Sequence, residues 1–392
     1  MGEEASGSPV VAVVGAGVMG AATAYWLTRL APGTEVLLIE RDRGFSQASS
    51  SLSASGIRQQ FGCAANIRLS RFGIDFLREA QRWLGADAGT LGLKEAGYLY
   101  LANAAQAMQL TALHAVQRGE GADVVLLEPA EIAARYPWLE TADIALGSLG
   151  LRGEGWFDGP ALHRALLGAA IRQGARLLEG EVLGWSCDGE RITTLHLAGG
   201  RDITPGTVVL AAGGWSGEIA ARAGLQLPIA ASRRSVFVLD CPEPLPDCPL
   251  IIDPSGFWLR PEGRFLITGR EPATESHGLP LEPDWSEFDE AQWARLAARI
   301  PALAQLRVQR AWAGYYDMNH FDHNALIGPW PGIGNLYLLA GFSGHGMQHA
   351  PGAGLALAEW LLHGSARTLD VQELSPGRIA RNAPLRELQV IG

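Results

Sequence analysis

The sequence has few cysteines, and their arrangement suggests neither a metal nor a disulfide framework. Its 392 residues contain four cysteines, none in a C-x-x-C pair and none beside histidines at metal-ligand spacing. We therefore predict no metal site. Cys241 and Cys248 flank a proline-rich loop and could pair, but free thiols in a reducing compartment are the expected state of all four.

Positive charge and long apolar segments are also scarce. The formal net charge is −10, which disfavours nucleic acid and an anionic membrane surface as partners. No apolar run reaches the roughly 18 residues that span a bilayer. Residues 1–9 are acidic and polar, without the basic and then apolar sections of a secretion signal. We therefore expect a cytoplasmic protein that binds neither nucleic acid nor membranes.

The chain does contain an apolar segment that leads into a glycine-rich loop. Residues 11–14 predict a buried parallel strand. The spacing Gly15-x-Gly17-x-x-Gly20 fits the dinucleotide fingerprint. Its first glycine makes a tight turn, its second lets the backbone approach a pyrophosphate, and its third lets helix and strand pack closely. A helix over residues 18–30 would place its positive end at the phosphates.

A second apolar segment ends in an acid at the position where the fingerprint requires one. Residues 36–39 predict the next strand, and Glu40 follows it, 20 residues after Gly20. A carboxylate there accepts hydrogen bonds from the adenosine ribose hydroxyls and argues against a 2′-phosphate. The alternative is a glycine-rich turn in an unrelated α/β domain.

A second glycine-rich loop lies far along the chain. Residues 335–340 predict a strand, Gly341-Phe-Ser-Gly344-His-Gly346 follows, and residues 350–362 predict a helix. Two such loops suggest one long cofactor held at both ends, and therefore a flavin dinucleotide. An NAD-linked dehydrogenase is the alternative, and the second loop argues against it.

Elements of this cofactor-binding type occur at the start, in the middle and near the end of the chain. Between them, from about residue 225 to 316, strands alternate with proline-rich turns, as in an antiparallel sheet. The sequence therefore predicts an α/β fold, α+β overall, in which a Rossmann-type FAD-binding domain carries an inserted antiparallel-sheet substrate domain, with a ligand cleft between them. The predicted ranges are 1–85, 150–218 and 325–392 for the FAD-binding domain, and 86–149 and 219–324 for the substrate-binding domain.

Four motifs give the chain a family resemblance. They are the first loop with Glu40 and Arg41, Ser-Ala-Ser-Gly-Ile-Arg at 53–58, Ala-Ala-Gly-Gly-Trp at 211–215, and Gly-Phe-Ser-Gly-His-Gly at 341–346. With these the chain resembles the FAD-dependent oxidoreductases of the D-amino-acid oxidase group, in particular the sarcosine oxidase, glycine oxidase and dimethylglycine dehydrogenase branch. The resemblance covers nearly the whole chain. It implies that FAD lies extended in the first domain, with substrate over the flavin ring under the sheet of the second.

The resemblance also implies which residues contact FAD. The backbone amides of residues 344–347 would stabilise negative charge on the reduced flavin, although a plain helix cap beneath a packed loop is the alternative. The implied FAD-binding residues are Gly15, Gly17, Met19, Gly20, Glu40, Arg41, Ser49, Ser55, Gly56, Ile57, Val182, Ala211, Gly213, Trp215, Gly344, His345, Gly346 and Met347.

The substrate site that the resemblance implies departs from that of the relatives. Arg58 matches the arginine that holds the substrate carboxylate in sarcosine-oxidase-like enzymes, with a phosphate clamp or a surface arginine as alternatives. The second anchor of sarcosine oxidases, a lysine, matches Gln348. The arginine of glycine oxidases matches Tyr315 or Tyr316. With fewer cations, a different or larger substrate is expected. Its pocket would be lined by Tyr316, Gln348, Phe257 and Trp258, unless these aromatic side chains only pack in the core.

Two further departures concern the flavin itself. The lysine that activates O₂ in some sarcosine oxidases matches a position near Ile267, and Lys94 is the only lysine of this chain. Either O₂ or another electron acceptor is therefore possible. The cysteine that links flavin covalently in the family matches a position on or near Gly314, so we predict non-covalent FAD.

The expected activity is oxidation of the C–N bond of glycine or an N-substituted glycine, a secondary amino acid, by hydride transfer to flavin. The imine product then hydrolyses. No general base is evident, and we assign no residue to acid–base catalysis. Residues 312–354 also resemble a mitochondrial FAD-dependent oxidoreductase-domain protein described as an assembly factor. The alternative is therefore a non-catalytic flavoprotein that serves as a partner or assembly factor.

Overall fold

The computed structural model describes residues 10–275, 277–278 and 280–387. Residues 1–9, on which the expectation of a cytoplasmic protein partly depends, lie outside the described residues. Among the helices of the described part, none has both the length and the apolar character needed to cross a bilayer.

The described strands run in chain order as β1 (Val11–Val14), β2 (Val36–Glu40), β3 (Gly56–Ile57), β4 (Tyr98–Ala102), β5 (Val124–Leu127), β6 (Leu146–Gly150), β7 (Gly155–Trp156), β8 (Arg176–Glu179), β9 (Val182–Asp188), β10 (Arg191–Leu197), β11 (Asp202–Ile203), β12 (Thr207–Leu210), β13 (Ile229–Asp240), β14 (Leu250–Ile252), β15 (Phe257–Glu262), β16 (Phe265–Arg270), β17 (Arg307–Asn319), β18 (Leu326–Pro329) and β19 (Leu336–Ala340). The described α-helices are α1 (Val18–Leu30), α2 (Ser49–Leu52), α3 (Ala64–Arg78), α4 (Ala80–Leu84), α5 (Ala107–Gly119), α6 (Pro129–Arg135), α7 (Gly159–Arg172), α8 (Ser216–Arg222), α9 (Glu290–Arg299), α10 (Gly346–His363) and α11 (Gly377–Ala380).

A six-stranded sheet in the order β18-β19-β12-β1-β2-β8 forms the first half of the architecture. β1 is central and pairs in parallel with β2 and β12, and only the edge pair β18–β19 is antiparallel. Helices α1, α7 and α10 pack together beside this sheet. Because both faces of a parallel sheet are covered, β1 consists entirely of buried apolar residues.

An eight-stranded sheet in the order β17-β13-β16-β15-β14-β4-β6-β5 forms the second half. Its pairs are antiparallel except β14–β4, which is parallel and joins the two chain segments that contribute to this sheet. The sequence predicted an antiparallel sheet, and this pairing is the exception. Every strand of this sheet falls within 86–149 or 219–324, apart from the last residue of β6, but the domain boundaries themselves stay a prediction.

The two faces of the eight-stranded sheet have different roles, because side chains alternate along each strand. On one face Phe237, Phe257 and Leu259 belong to an apolar core that Leu296 of α9 and Ile132 of α6 complete. On the opposite face lies a second cluster, formed by Tyr98, Tyr100, Val236, Trp258 and Ile267 among others. This second face is turned towards the first half of the molecule.

Helix α10 begins earlier than the sequence predicted. The expected helix covered residues 350–362, whereas the structure has helix from Gly346 to His363 with Pro351 inside it. A glycine-rich start and an internal proline both disfavour helix in an isolated chain. Here the helix is almost wholly buried, and the Trp26 indole N–H donates to the Pro351 carbonyl at 2.8 Å. Tertiary packing therefore overrides the local preference.

Candidate functional site

A long cavity runs from the carboxyl ends of β1 and β2 to the inner face of the eight-stranded sheet. It reaches both glycine-rich loops and the turn after β12. Of the predicted cofactor and substrate residues, those that line it are Gly15, Gly17, Met19, Glu40, Arg41, Ser49, Val182, Ala211, Gly213, Trp215, Trp258, Tyr316, Gly344, Gly346 and Met347.

The first loop provides space that no other residue would leave. Gly15 has φ +95°, and an added Cβ would lie 2.5 Å from the Ala211 carbonyl oxygen. At Gly20 an added Cβ would lie 1.9 Å from the Gly15 oxygen, so this glycine sets the packing of α1 on β1 rather than lining the cavity. The loop therefore has the shape that close backbone approach to a pyrophosphate requires.

Glu40 is tied to the loop that precedes α1. Its carboxylate accepts hydrogen bonds from the Ala16 amide at 2.9 Å and from the Asp42 amide at 3.1 Å. A carboxylate has about four acceptor positions, so capacity remains for ligand hydroxyls. The Val18 amide donates to the Ser50 hydroxyl at 2.8 Å, which caps α1 from a distant part of the chain.

The outer end of the cavity is formed by a cation and an aromatic ring. The Arg41 guanidinium lies 3.9 Å from the centroid of the Trp215 ring and donates to Gln47 at 2.8 Å. Ser49, on the same side of the cavity, donates to the Tyr315 carbonyl at 2.6 Å. Four predicted cofactor residues besides Gly20 do not line the cavity, namely Ser55, Gly56, Ile57 and His345.

The second loop is held by a buried acid that sequence reasoning did not identify. Asp317 accepts hydrogen bonds from the amides of Gly341 at 2.7 Å and Phe342 at 3.0 Å. Burial raises the pKa of its carboxyl to about 6, against the effect of these amides. The only sequence signal was an acid inside an otherwise uncharged segment of β17.

Helix α10 points the amides of its first turn towards the cavity side of this loop. The first amides of a helix have no carbonyl of that helix to bond, so Gly346 and Met347 can serve a ligand. The His345 amide, in contrast, already donates to the Phe342 carbonyl at 3.0 Å. Of the four amides predicted to face the flavin, His345 is therefore engaged within the loop.

Arg58 is buried beside the second loop, with 3% of its surface exposed. Its guanidinium lies 4.2 Å from the centroid of the Phe61 ring. Its backbone amide donates to Gln348 Oε1 at 2.8 Å, and Ser70 donates to the same oxygen at 3.1 Å. The surface-arginine alternative is therefore wrong. Gln348 connects the Arg58 segment to α10 and, like Arg58, is not among the described residues that line the cavity.

The three predicted aromatic residues divide between the two faces of the sheet. Tyr316 and Trp258 line the cavity, and an added Cβ at Gly344 would lie 2.4 Å from the Tyr316 ring. Phe257 lies instead in the core on the opposite face, with 1% of its surface exposed. Since Phe257 and Trp258 are neighbours in β15, only one of them can face the cavity.

The described residues contain no group of three or more His, Cys, Asp or Glu side chains arranged to hold a metal ion. The four cysteines are free thiols, as predicted.

The match to a family model decides what this cavity holds. The model described as FAD dependent oxidoreductase, DAO, matches residues 11–360. The chain belongs to this family. FAD is therefore its cofactor, and the residues fit it: Gly15 allows a tight turn where a Cβ would collide with Ala211, and the first residues of α1 and α10 line the cavity.

Individual DAO relatives match over most of their length. FAD-dependent oxidoreductase domain-containing protein 1 from Bos taurus is 38% identical over 411 residues, which cover 95% of this chain and 84% of that protein. The crystal structure of L-proline dehydrogenase from P. horikoshii is similar with a TM-score of 0.84 at 27% identity, covering 96% of this chain and 99% of that one. The crystal structure of glycine oxidase from Geobacillus kaustophilus is similar with a TM-score of 0.79 at 25% identity, covering 94% of this chain and 98% of that one. The predicted fold class is confirmed.

Two more buried charged residues near the DAO cofactor cavity were missed by sequence reasoning. Arg234 lines the cavity from β13 and is 4% exposed. Glu154 is 1% exposed and accepts hydrogen bonds from the Gln59 amide at 2.6 Å and the Gln60 side chain at 2.7 Å.

Glu154 makes stability depend on pH in a defined window. Burial raises the pKa of its carboxyl from 4.5 to about 7. Because the folded-state pKa is raised, its contribution is complete below about pH 4.5 and is lost as pH rises through about 7. Relative to Glu154→Gln, the wild type should lose about 3 kcal/mol of unfolding free energy between pH 4.5 and 8. Denaturant unfolding of both proteins across this range measures it, and parallel pH curves would contradict it.

Proposed function

We propose that this FAD-dependent oxidoreductase oxidises the C–N bond of glycine or an N-substituted glycine, and that its FAD is bound non-covalently. The observation that carries the proposal is Arg58, a buried arginine whose backbone is joined through Gln348 to the helix that begins at the second loop. A guanidinium can hold a carboxylate with two parallel hydrogen bonds in one plane. The glycine oxidase and L-proline dehydrogenase relatives are named for amino acid substrates, which supports a substrate with a carboxylate.

Bound FAD supplies the acceptor for a hydride from the substrate α-carbon. The chain positions the substrate, stabilises charge electrostatically and excludes water. Arg58 would hold the carboxylate in its planar fork and so fix the α-carbon. The amides of Gly346 and Met347 would stabilise negative charge at the cofactor. Trp258 and Tyr316 shield the site from water, which favours the neutral amine from which a hydride can leave. The released imine then hydrolyses in water to an amine or ammonia and an oxo acid.

The residues around the cavity support non-covalent attachment. Gly314, where the covalent relatives are expected to place a cysteine, lines the cavity, and an added Cβ there would lie 3.2 Å from Leu52 Cβ. Cys63, Cys187, Cys241 and Cys248 are not among the described residues that line it. Denaturation with trichloroacetic acid should therefore release all of the flavin to the supernatant.

Anaerobic mixing tests the substrate class. Glycine, sarcosine, proline and longer N-alkyl glycines are each added to the purified holoenzyme, and the flavin absorbance near 450 nm is followed. At least one should bleach it, and admission of air then shows whether O₂ reoxidises it or another acceptor is needed. If none bleaches it, the substrate class is wrong.

A non-catalytic partner or assembly factor is the second candidate. It is favoured by the lack of a second cation at Gln348 and by the relative from Bos taurus, whose name specifies no substrate. In that case FAD would be retained without turnover, and a stable complex with another protein would be recovered.

A further inference from the structure

Arg234 is a second buried cation on the substrate side of the cavity. It stands on β13 opposite Gly314 of β17, so its side chain shares a face with Tyr316. It is 4% exposed and lines the cavity together with Tyr316 and Trp258. Arg58 and Gln348, the residues compared with the anchors of the relatives, do not.

The guanidinium of Arg234 is held in place but not fully satisfied. Its Nη2 donates to Glu275 at 2.6 Å, and its Nη1 donates to Glu275 at 3.3 Å and to the Arg233 carbonyl at 3.0 Å. Its Nε is buried, and no hydrogen-bond acceptor for it exists in the described part of the chain. A buried donor without a partner is costly, so an acceptor supplied by a ligand would be favourable.

Glu275 does not remove the need for a ligand. Its side chain is 31% exposed, whereas that of Arg234 is 5% exposed. Water therefore screens the charge of the acid more than that of the cation. Burial opposes ionisation, but the hydrogen bonds from Arg234 hold the pKa of Glu275 below its ordinary value. Glu275 therefore engages the two terminal nitrogens of the guanidinium and leaves Nε for a ligand.

Tyr316 is within electrostatic range of both arginines. The Arg234 guanidinium is 5.0 Å from the centroid of its ring, and both Arg234 and Arg58 act electrostatically on its phenol. Burial nevertheless raises the pKa of Tyr316, so the phenol stays neutral and can donate a hydrogen bond. Tyr316 and Arg234 thus line the cavity side by side, and Arg58 is a second buried cation close enough to act on the same phenol.

We propose that the substrate carries two anionic groups, one held by Arg58 and the other by Arg234, so that the N-substituent of the amino acid ends in an acid. The chemical class is an N-(carboxyalkyl)amino acid. This inference rests on the proposed function, because it assigns the second group of the same substrate. It also gives the site a second cation, which Gln348 does not supply.

Two thioethers that cannot undergo amine oxidation separate binding from turnover. Thiodiacetate has two carboxylates, and (methylsulfanyl)acetate, CH3–S–CH2–COO⁻, is its counterpart with one. Calorimetric titration of the holoenzyme at pH 7.5 should give thiodiacetate a Kd at least tenfold lower. In Arg234→Met the two Kd values should agree within twofold, while Arg58→Met should weaken both ligands.

Arg233→Met is the matched control. Arg233 adjoins Arg234 in β13 but faces the other way, and it pairs with Asp284 at 3.0 Å. Its variant should keep the full preference for thiodiacetate.

Equal affinities in the wild type would overturn the inference, as would a preference that survives in Arg234→Met or a failure of both thioethers to bind. The comparison in the wild type needs no variant, so it decides the question even if Arg234→Met loses FAD. If sarcosine bleaches the flavin while thiodiacetate has no advantage, the proposed function stands and the second anion site falls.

Discussion

The Gly15→Ala variant is expected to be isolated without FAD. An alanine Cβ at this position would lie 2.5 Å from the Ala211 carbonyl oxygen, and the backbone has φ +95°, which L side chains rarely adopt. The strands β1 and β12 that carry these two residues are paired, so neither can move without disturbing the sheet. We expect affinity for FAD to fall by at least about 100-fold, measured by fluorescence titration of the apoprotein.

Gly33→Ala is the matched control for this experiment. Gly33 has almost the same backbone angle, φ +92°, but an added Cβ there meets nothing within 4 Å. This variant introduces the backbone strain without the collision, at a cost of about 1–2 kcal/mol, and should retain FAD. If both variants hold FAD equally well, the close approach at Gly15 is not what shapes the cofactor site.

The Arg58→Ala variant should raise the KM of an accepted substrate by roughly 100-fold or more, since truncating one partner of a buried charge pair costs about 2–5 kcal/mol. kcat should fall as well, because the carboxylate no longer fixes the α-carbon. Steady-state kinetics measure both. Arg58→Lys keeps the charge but loses the planar fork, so its KM should lie between those of the wild type and Arg58→Ala.

The FAD content of each Arg58 variant provides the control for a structural effect. Arg58 contacts Phe61 and Gln60, and the cavity lining does not include it. FAD should therefore be retained. An unchanged KM in a variant that retains FAD would remove Arg58 from the substrate site.

Residues 11–40 were predictable from sequence because every signal there is local. The prediction of a strand at 11–14 and a helix at 18–30 agrees with the structure. Short-range patterns of apolar residues and glycines determine these elements, and Glu40 follows at a fixed spacing. The start of α10 was missed for the opposite reason, since burial around Pro351 outweighs the preference of the local sequence.

The substrate side was less predictable because it depends on which face of a strand points inwards. Phe257 and Trp258 are adjacent aromatic residues in β15, so residue type alone does not reveal which of the two faces inwards. Arg234 sits in β13 between Arg233 and Ser235 and is balanced by Glu275, which is distant in sequence. Asp317 likewise acts through amides of the second loop. Such pairings form only when segments distant in sequence have come together in the folded chain.

The order of strands in the six-stranded sheet has a consequence for biosynthesis. β1 is bordered by β12, and β12 by β19, so the middle of the sheet takes neighbours from the centre and the far end of the chain. In a nascent polypeptide, β1 can therefore pair with β12 only after Thr207–Leu210 has left the ribosome, and β12 gains its other neighbour only when Leu336–Ala340 follows. Pairing between distant segments slows folding and leaves apolar strands exposed in the meantime, and chaperones bind such strands. Flavin loading is accordingly a late event in maturation, and fragments that stop short of β19 should neither acquire the cofactor nor escape proteolysis.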